Sequence, residues 1–525
     1  MQNTILVSDS IKKNIQEFMY SSFDLKKLVS KKVKEMIIKN FNEGKKILNE
    51  NINIIILITY NMGNYPFITQ EDLLKDIKDK LDKVITVDDL KKFNKIIREN
   101  NFIQEVIVNY GLGKKYWKNT IIPISNSGSI KNTLEKKFNY PFRVGLYPGL
   151  SCMFECVFCG RNYKAKYERT ALDIGIEKYL KLINDAPRDD KYRFYISGGL
   201  EPLTNPKLGE LILELKKNGF QVPMYTNAFM LSEKYLNKET GLGQLNSIRV
   251  SIYGMNEKQY FETTKKPNAF KIVTQNIINL IKYKEEKNLN FDIGMNYVIL
   301  ENSSEDLIKI LEYIKYINNE VGNKKNNIQF LTLREDFRCT QSLRMNDNER
   351  SKLKKIFDKF DRMLEKEKLL KNLFVDFGYS LEPIKNGYAD DKFESIFATK
   401  KMLLAEGTPN ISVAVDLYGD VYGYREAAFL DRPGSKRYIL GRIDKEDSFE
   451  EIIRDALLKK RTFSVKESDL DYLDAWDHIV LRTLNQAKQD ESFGIPFENG
   501  PVIGRTYNRN TKLEDYRTHF SNPKA

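Results

Sequence analysis

Residues 147–163 read YPGLSCMFECVFCGRNY, and three of the chain's four cysteines, Cys152, Cys156 and Cys159, fall inside that stretch. The remaining one, Cys339, is far away in a chain of 525 residues, so the concentration calls for a chemical reason. A structural zinc site takes four N or S ligands, but the two histidines, His478 and His519, are remote in sequence and Cys339 stands alone. A disulfide with one thiol left over suits an oxidising compartment. Thiolates also bind the irons of iron–sulfur clusters. A C-x3-C-x2-C turn can hold three irons of a 4Fe–4S cube and leave the fourth open to a ligand that is not protein. The zinc and disulfide readings are the weaker ones, and the three-thiolate cluster is favoured.

The cysteine turn follows "RVGLYPG", the first of six short β-rich runs. The others are "YRFYISGG", "QVPMYTN", "SIRVSIYG", "FDIGMNYVIL" and "IQFLTLRED". Helical patterns alternate with them, as in "NAFKIVTQNIINLIKYKEEKN", where Phe270, Val273, Ile277 and Leu280 share a face. Strand–helix repeats predict an α/β fold with a parallel sheet, a partial (β/α)6 barrel. Such folds carry their chemistry in the loops beyond the strands' carboxyl ends, which is where the cysteine turn lies. "SGGLEP" lies beyond the second strand, and its Gly198 and Gly199 suit a place where a ligand approaches the main chain closely.

The core is expected over 139–340, after an N-terminal helical region, 1–138. A C-terminal α+β extension, 341–525, should hold a helix in "NERSKLKKIFDKFDRMLEKEKLLKN" and a hairpin in "ISVAVDLYGDVYGYREAAF" that turns at Gly419–Asp420. From about Phe493 the chain is polar and punctuated by Pro and Gly, a loosely packed tail. The most apolar run, "INIIILI" from Ile52 to Ile58, is too short to span a bilayer and reads as one buried element. No secretory signal opens the sequence, and with the cysteine usage this predicts a cytoplasmic protein. A net charge of +13 invites a nucleic-acid partner, but the lysines are spread along the chain beside Glu and Asp, so solvated helix faces are the better account.

The Cys152, Cys156, Cys159 spacing together with "SGGLEP" resembles the radical S-adenosylmethionine (SAM) superfamily. The resemblance implies one 4Fe–4S cluster, held by those three cysteines, whose open iron chelates SAM. It also implies cleavage of SAM to a 5′-deoxyadenosyl radical by an electron from a donor such as flavodoxin or ferredoxin. Phe158 takes the place of an aromatic against the adenine, although core packing would also explain it. Gly198 and Gly199 would bind the methionine amino group, assisted by Glu201, and Ser251 or Asn296 would reach the ribose. With Cys339 alone, a second cluster has too few thiols, and Cys339 reads as a structural thiol.

A narrower resemblance runs from about Tyr60 to Asp490 and includes "YWKNTIIP", "CMFECVFC", "SGGLEPLTNP", "YTNAF", "SIYGMNEKQYFETTKKP", "LRED", "VDLYGDVYGYREAAF" and "RTLNQ". These stretches are similar to the ammonia-lyases that act on TDP-4-amino-4,6-dideoxy-D-glucose in desosamine biosynthesis. It implies a TDP-amino sugar substrate, hydrogen abstraction at C3, loss of ammonia from C4 and a 3-keto-4,6-dideoxy product. That chemistry needs a proton acceptor, a group for the leaving amine and donors for a diphosphate. The candidates are Asn227, Arg249, Ser251, Asn296, Arg334, Glu335 and Asp336 in the barrel loops, and Tyr422, Tyr424, Arg425 and Glu426 from the hairpin. Glu426, Arg425 and Glu335 are the expected catalytic residues, with Arg425 on an oxyanion and Glu426 on the ammonium or the hydroxyl proton. A structural ion pair is the plain alternative for Arg425 and Glu426. Two further functions compete: a radical SAM dehydrogenase, dehydratase or decarboxylase on a related sugar nucleotide, nucleoside or aminoglycoside, and a non-enzymatic basic metal-binding module.

Overall fold

The computed structural model describes Ile15, Phe18, Met19 and residues 45–489, except 111–113, 161–164, 239–240, 323–327, 337–344, 371–372, 380, 386–396, 431, 445–447, 460 and 462. Cys339, His519 and the expected tail from Phe493 lie outside the described residues. The described residues form two compact units: one from residues up to Leu134, within Glu382–Ala398 and from His478 onward, the other from Glu135–Leu381 and Thr399–Asp477.

The first unit is helical, as its apolar spacing predicts. The "INIIILI" run lies in the helix Lys45–Asn64, where Ile54, Ile55, Ile56, Leu57 and Ile58 are all buried. Trp117 Nε1 donates to Met62 O at 2.7 Å, satisfying the indole as it enters the same core. His478 is buried too, its Nδ1 accepting the Ala398 N–H at 3.1 Å, so it serves as a core histidine.

The second unit is built on one sheet. Its strands are β1 (Arg143–Leu146), β2 (Phe194–Ile196), β3 (Pro223–Thr226), β4 (Ser247–Ile252), β5 (Asp292–Ile299), β6 (Phe330–Glu335), β7 (Phe374–Phe377), β8 (Ser412–Val415), β9 (Asp420–Tyr422) and β10 (Ile439–Arg442). All six expected strands are present, in order and parallel, with β7 continuing the series beside β6. Helices connect them, as parallel pairing requires. In Ala269–Glu286, Val273, Ile277 and Leu280 are buried as the spacing predicts. β5 is buried at every position, the mark of a parallel strand covered on both faces.

The hairpin β8–β9 turns at Gly419, whose φ of +81° favours glycine. Its place in the sheet was not legible from sequence: β8 pairs parallel with β1, and β10 closes antiparallel on β9. The strand order is therefore β10-β9-β8-β1-β2-β3-β4-β5-β6-β7. The hairpin thus becomes a neighbour of the strand that leads into the cysteine turn. Among the described residues no helix is long and apolar enough to cross a membrane.

Candidate active site

Residues at or just beyond the carboxyl ends of β1 to β7 line a cavity of about 330 Å³ in the second unit. Cys152, Cys156 and Cys159 line it together, none of the three in a disulfide. Their loop is fixed through its main chain. Leu150 and Ser151 N–H both donate to Thr204 Oγ1, at 2.9 and 3.1 Å, and Glu201 N–H donates to Ser151 O at 2.9 Å. Glu155 and Val157 N–H donate to Thr264 O and Thr263 O, each at 2.9 Å, and Cys159 N–H donates to Cys156 O at 2.8 Å. With these N–H groups satisfied, the main chain that carries the three cysteines is fixed by the fold. Among the described residues no group of three or more His, Cys, Asp and Glu encloses a single metal-ion position. A donor set of three thiols on one cavity wall is chemically suited to an iron–sulfur cluster.

Beside the loop, the Phe158 and Tyr253 rings stack at 5.9 Å with 19° between planes. Phe154 packs edge-on against Phe229 and Tyr253, both at 5.5 Å. Phe158 is only half-buried and borders the cavity. Gly198 has φ +146°, and a Cβ on Gly199 would come within 2.4 Å of Phe429 Cδ1. The glycine requirement thus has a cause inside the protein: Phe429, just beyond the hairpin, covers the turn.

Glu201 joins strand ends. Its carboxylate accepts from Thr226 Oγ1 at 2.5 Å, Asn227 N–H at 2.8 Å and Leu203 N–H at 3.3 Å. Burial pushes its carboxyl up to about 7, while these hydrogen bonds work in the opposite sense. Ser251 and Asn296 are direct register partners on β4 and β5, and both face the cavity.

The expected catalytic residues all line the cavity, but they are differently engaged. Arg425 is buried and donates through Nη2 to Asp474 at 2.6 Å and Asp477 at 3.2 Å, with Cζ 4.9 Å from the Trp476 ring. Glu335 is buried against Arg350 Nη2 at 3.4 Å. Glu426 keeps 35 % of its side-chain surface open, with Arg432 Nη1 3.9 Å from its Oε2. Enclosure in the cavity raises the Glu426 carboxyl above its ordinary range, opposed chiefly by Arg432. Arg425 and Glu426, which sequence offers as an ion pair, instead have separate partners.

Asn227, Arg249, Arg334 and Asp336 also border the cavity. Tyr422 and Tyr424 do not appear in its wall: Tyr424 OH donates to Leu404 O at 2.9 Å, and Tyr422 OH approaches Asp416 at 3.5 Å. Sequence reading missed Asp376, Arg432, Asp471, Asp474 and Trp476, all of which line the cavity. The dense acidic run "DLDYLDAWD" was the one available signal for the last three.

Comparison with known proteins fits this site. Residues 146–314 match the model of the Radical SAM superfamily. The chain is 32% identical over 442 residues to the dTDP-4-amino-4,6-dideoxy-D-glucose ammonia-lyase of Streptomyces venezuelae, covering 84% of this chain and 88% of that protein. It is 25% identical over 175 residues to a tungsten-containing aldehyde ferredoxin oxidoreductase cofactor-modifying protein of Pyrococcus furiosus, covering 31% of this chain and 45% of the other. Among solved structures it resembles Streptococcus suis SuiB bound to the precursor peptide SuiA, with 14% identity, 82% of each chain covered and a TM-score of 0.40, an overlap too loose to carry weight.

Proposed function

The chain belongs to the radical SAM superfamily and is an enzyme of its lyase type, and we propose that it removes the C4 amino group of a nucleotide-linked 4-amino-4,6-dideoxy sugar, giving ammonia and a 3-keto-4,6-dideoxy sugar. The observation that carries this reading is the length of the likeness. The family model covers residues 146–314, whereas the similarity to the ammonia-lyase extends over 442 residues and so well beyond the cofactor-binding core.

The family carries a 4Fe–4S cluster and uses SAM. We assign Cys152, Cys156 and Cys159 as the protein ligands of that one cluster. When bound, cluster and SAM supply the carbon-centred radical that takes hydrogen from C3 of the sugar. Phe158, Ser251 and Asn296, with the Gly198–Gly199 turn, bind and orient SAM. Glu201 ties the turn after β2 to the end of β3 and so would steady the turn that holds SAM. Glu426 accepts the 3-hydroxyl proton or holds the departing ammonium, its carboxyl raised above the ordinary range by burial. Arg425 and Glu335 shape the cavity through their ion pairs. The substrate is a small molecule, and a reductant such as flavodoxin or ferredoxin supplies the electron. We keep 1–138, 139–340 and 341–525 as the proposed functional division of the chain.

The test is anaerobic turnover of reconstituted enzyme with SAM, reductant and the TDP-amino sugar carrying deuterium at C3. Deuterium should appear in 5′-deoxyadenosine, with ammonia and the 3-keto sugar formed in equal amounts. Oxidation at C3 with no ammonia released would instead make the protein a dehydrogenase of a related sugar.

A further inference from the structure

A nucleotide sugar brings a diphosphate into the cavity, and two adjacent negative charges need a cation that is free to meet them. Among the described residues lining the cavity, the cationic side chains are Arg249, Arg334, Arg425 and Arg432. Three of these are buried and committed to the protein. Arg249 donates to Thr332 Oγ1 at 3.2 Å and lies 4.9 Å from the Phe330 ring and 5.4 Å from the Tyr225 ring. Arg425 is held by Asp474 and Asp477. Arg432 donates to Glu426 O at 2.9 Å and Asp471 O at 2.5 Å. Turning any of them to a phosphate would strand a buried carboxylate, carbonyl or hydroxyl, at a cost that offsets much of the gain.

Arg334 differs. It is exposed to the cavity, and its guanidinium has no hydrogen-bond or ion-pair partner among the described residues. It stands near the carboxyl end of β6, in register with Val298 of β5. In the sheet order β6 lies on the opposite side of β3, β4 and β5 from β1 and β2, whose ends carry the cysteine turn and the glycine turn. An anion held at β6 would leave the sugar pointing toward those turns. The Arg334 charge also reaches Glu426, where it is one of the influences that lower the carboxyl's pKa.

Resting on the nucleotide-sugar reading above, we infer that Arg334 is the residue that binds the substrate's diphosphate, and so sets the requirement for a nucleotide-linked sugar. Its planar fork can engage two phosphate oxygens at once without breaking a bond to any described residue. Arg425, the arginine that sequence favours for an oxyanion, is instead engaged by Asp474 and Asp477.

The experiment is equilibrium binding of TDP and of thymidine to the anaerobically reconstituted, SAM-loaded enzyme, for the native protein, Arg334→Ala and Arg334→Lys. Arg334→Ala should weaken TDP binding by about 10–100-fold, the usual scale for one charged hydrogen-bonding group, and leave thymidine binding unchanged. Arg334→Lys, which keeps the charge and loses the fork, should fall between. Iron content and melting temperature should match the native protein, because the side chain is exposed. TDP affinity in Arg334→Ala within about twofold of native overturns the inference and leaves the deamination reading intact. Native enzyme that ignores TDP yet releases ammonia from the unphosphorylated amino sugar overturns both the inference and the nucleotide-linked substrate.

Discussion

A Cβ placed on Gly160 would lie 2.7 Å from Cζ of Arg432, so this guanidinium rests on the main chain next to Cys159. Arg432 also donates to the carbonyls of Glu426 and Asp471. One side chain thereby ties the cysteine loop to the segment that carries Glu426. Gly160→Val should force the guanidinium off both carbonyls and destabilise the protein by about 1–3 kcal/mol, the usual cost of overpacking. Thermal melting checks this. If Arg432 is the obstacle, adding Arg432→Ala to Gly160→Val should cost less than Arg432→Ala costs alone.

Replacing Cys152, Cys156 or Cys159 by Ala should abolish cluster assembly, measured as iron and acid-labile sulfide per chain after anaerobic reconstitution. Cys339→Ala should retain the cluster. Loss of iron in Cys339→Ala together with its retention in Cys156→Ala would refute the ligand assignment.

Gly199→Val should block SAM binding and leave the iron content intact. The added carbons enter the space of Phe429, 2.4 Å from the site of the Cβ, and drive its ring or the turn into the cavity. Binding of SAM to the reconstituted variant is the measurement, and native affinity would remove the Gly198–Gly199 turn from the SAM site.

Glu201 makes a pH prediction. Burial raises its folded carboxyl to about 7 from an ordinary 4.5, so between these values the folded state binds more protons than the unfolded one. Its contribution to stability is full below the ordinary value and is lost as pH rises through about 7. Glu201→Gln cannot titrate, and its amide would set a donor against the Asn227 N–H or the Thr226 hydroxyl, costing about 1–3 kcal/mol. The stability gap between native and variant should narrow as pH rises from about 5 to about 8, read from melting temperatures. A gap that widens over that range would contradict the raised carboxyl.

Arg425→Met should destabilise strongly, by about 3–5 kcal/mol, because it leaves the carboxylates of Asp474 and Asp477 uncompensated. Arg425→Met with a native melting temperature and a loss confined to substrate affinity would return Arg425 to the diphosphate.

Local chemistry alone determined a large part of this protein. The C-x3-C-x2-C turn needs no tertiary information to announce thiolate ligation, because its three donors lie within one short loop. The six strands were legible because apolar runs of the right length recur between helical patterns, and β5 is buried at every position as such a run demands. β7 escaped because four residues after a long helix give too little periodicity. The pairing of β8 with β1 escaped because register between strands far apart in sequence is set by packing and not by composition.

The same limit governed the site. Sequence could say that Arg425, Glu335 and Arg334 had suitable chemistry, but not which was available. Asp474 and Asp477 occupy Arg425 from 49 and 52 residues away, Arg350 occupies Glu335 from a separate helix, and Arg334 is left facing the cavity. Whether a charge binds a ligand or another side chain depends on which partners folding brings within a few ångströms, because buried charges must be neutralised locally. For these arginines only the tertiary structure decided that.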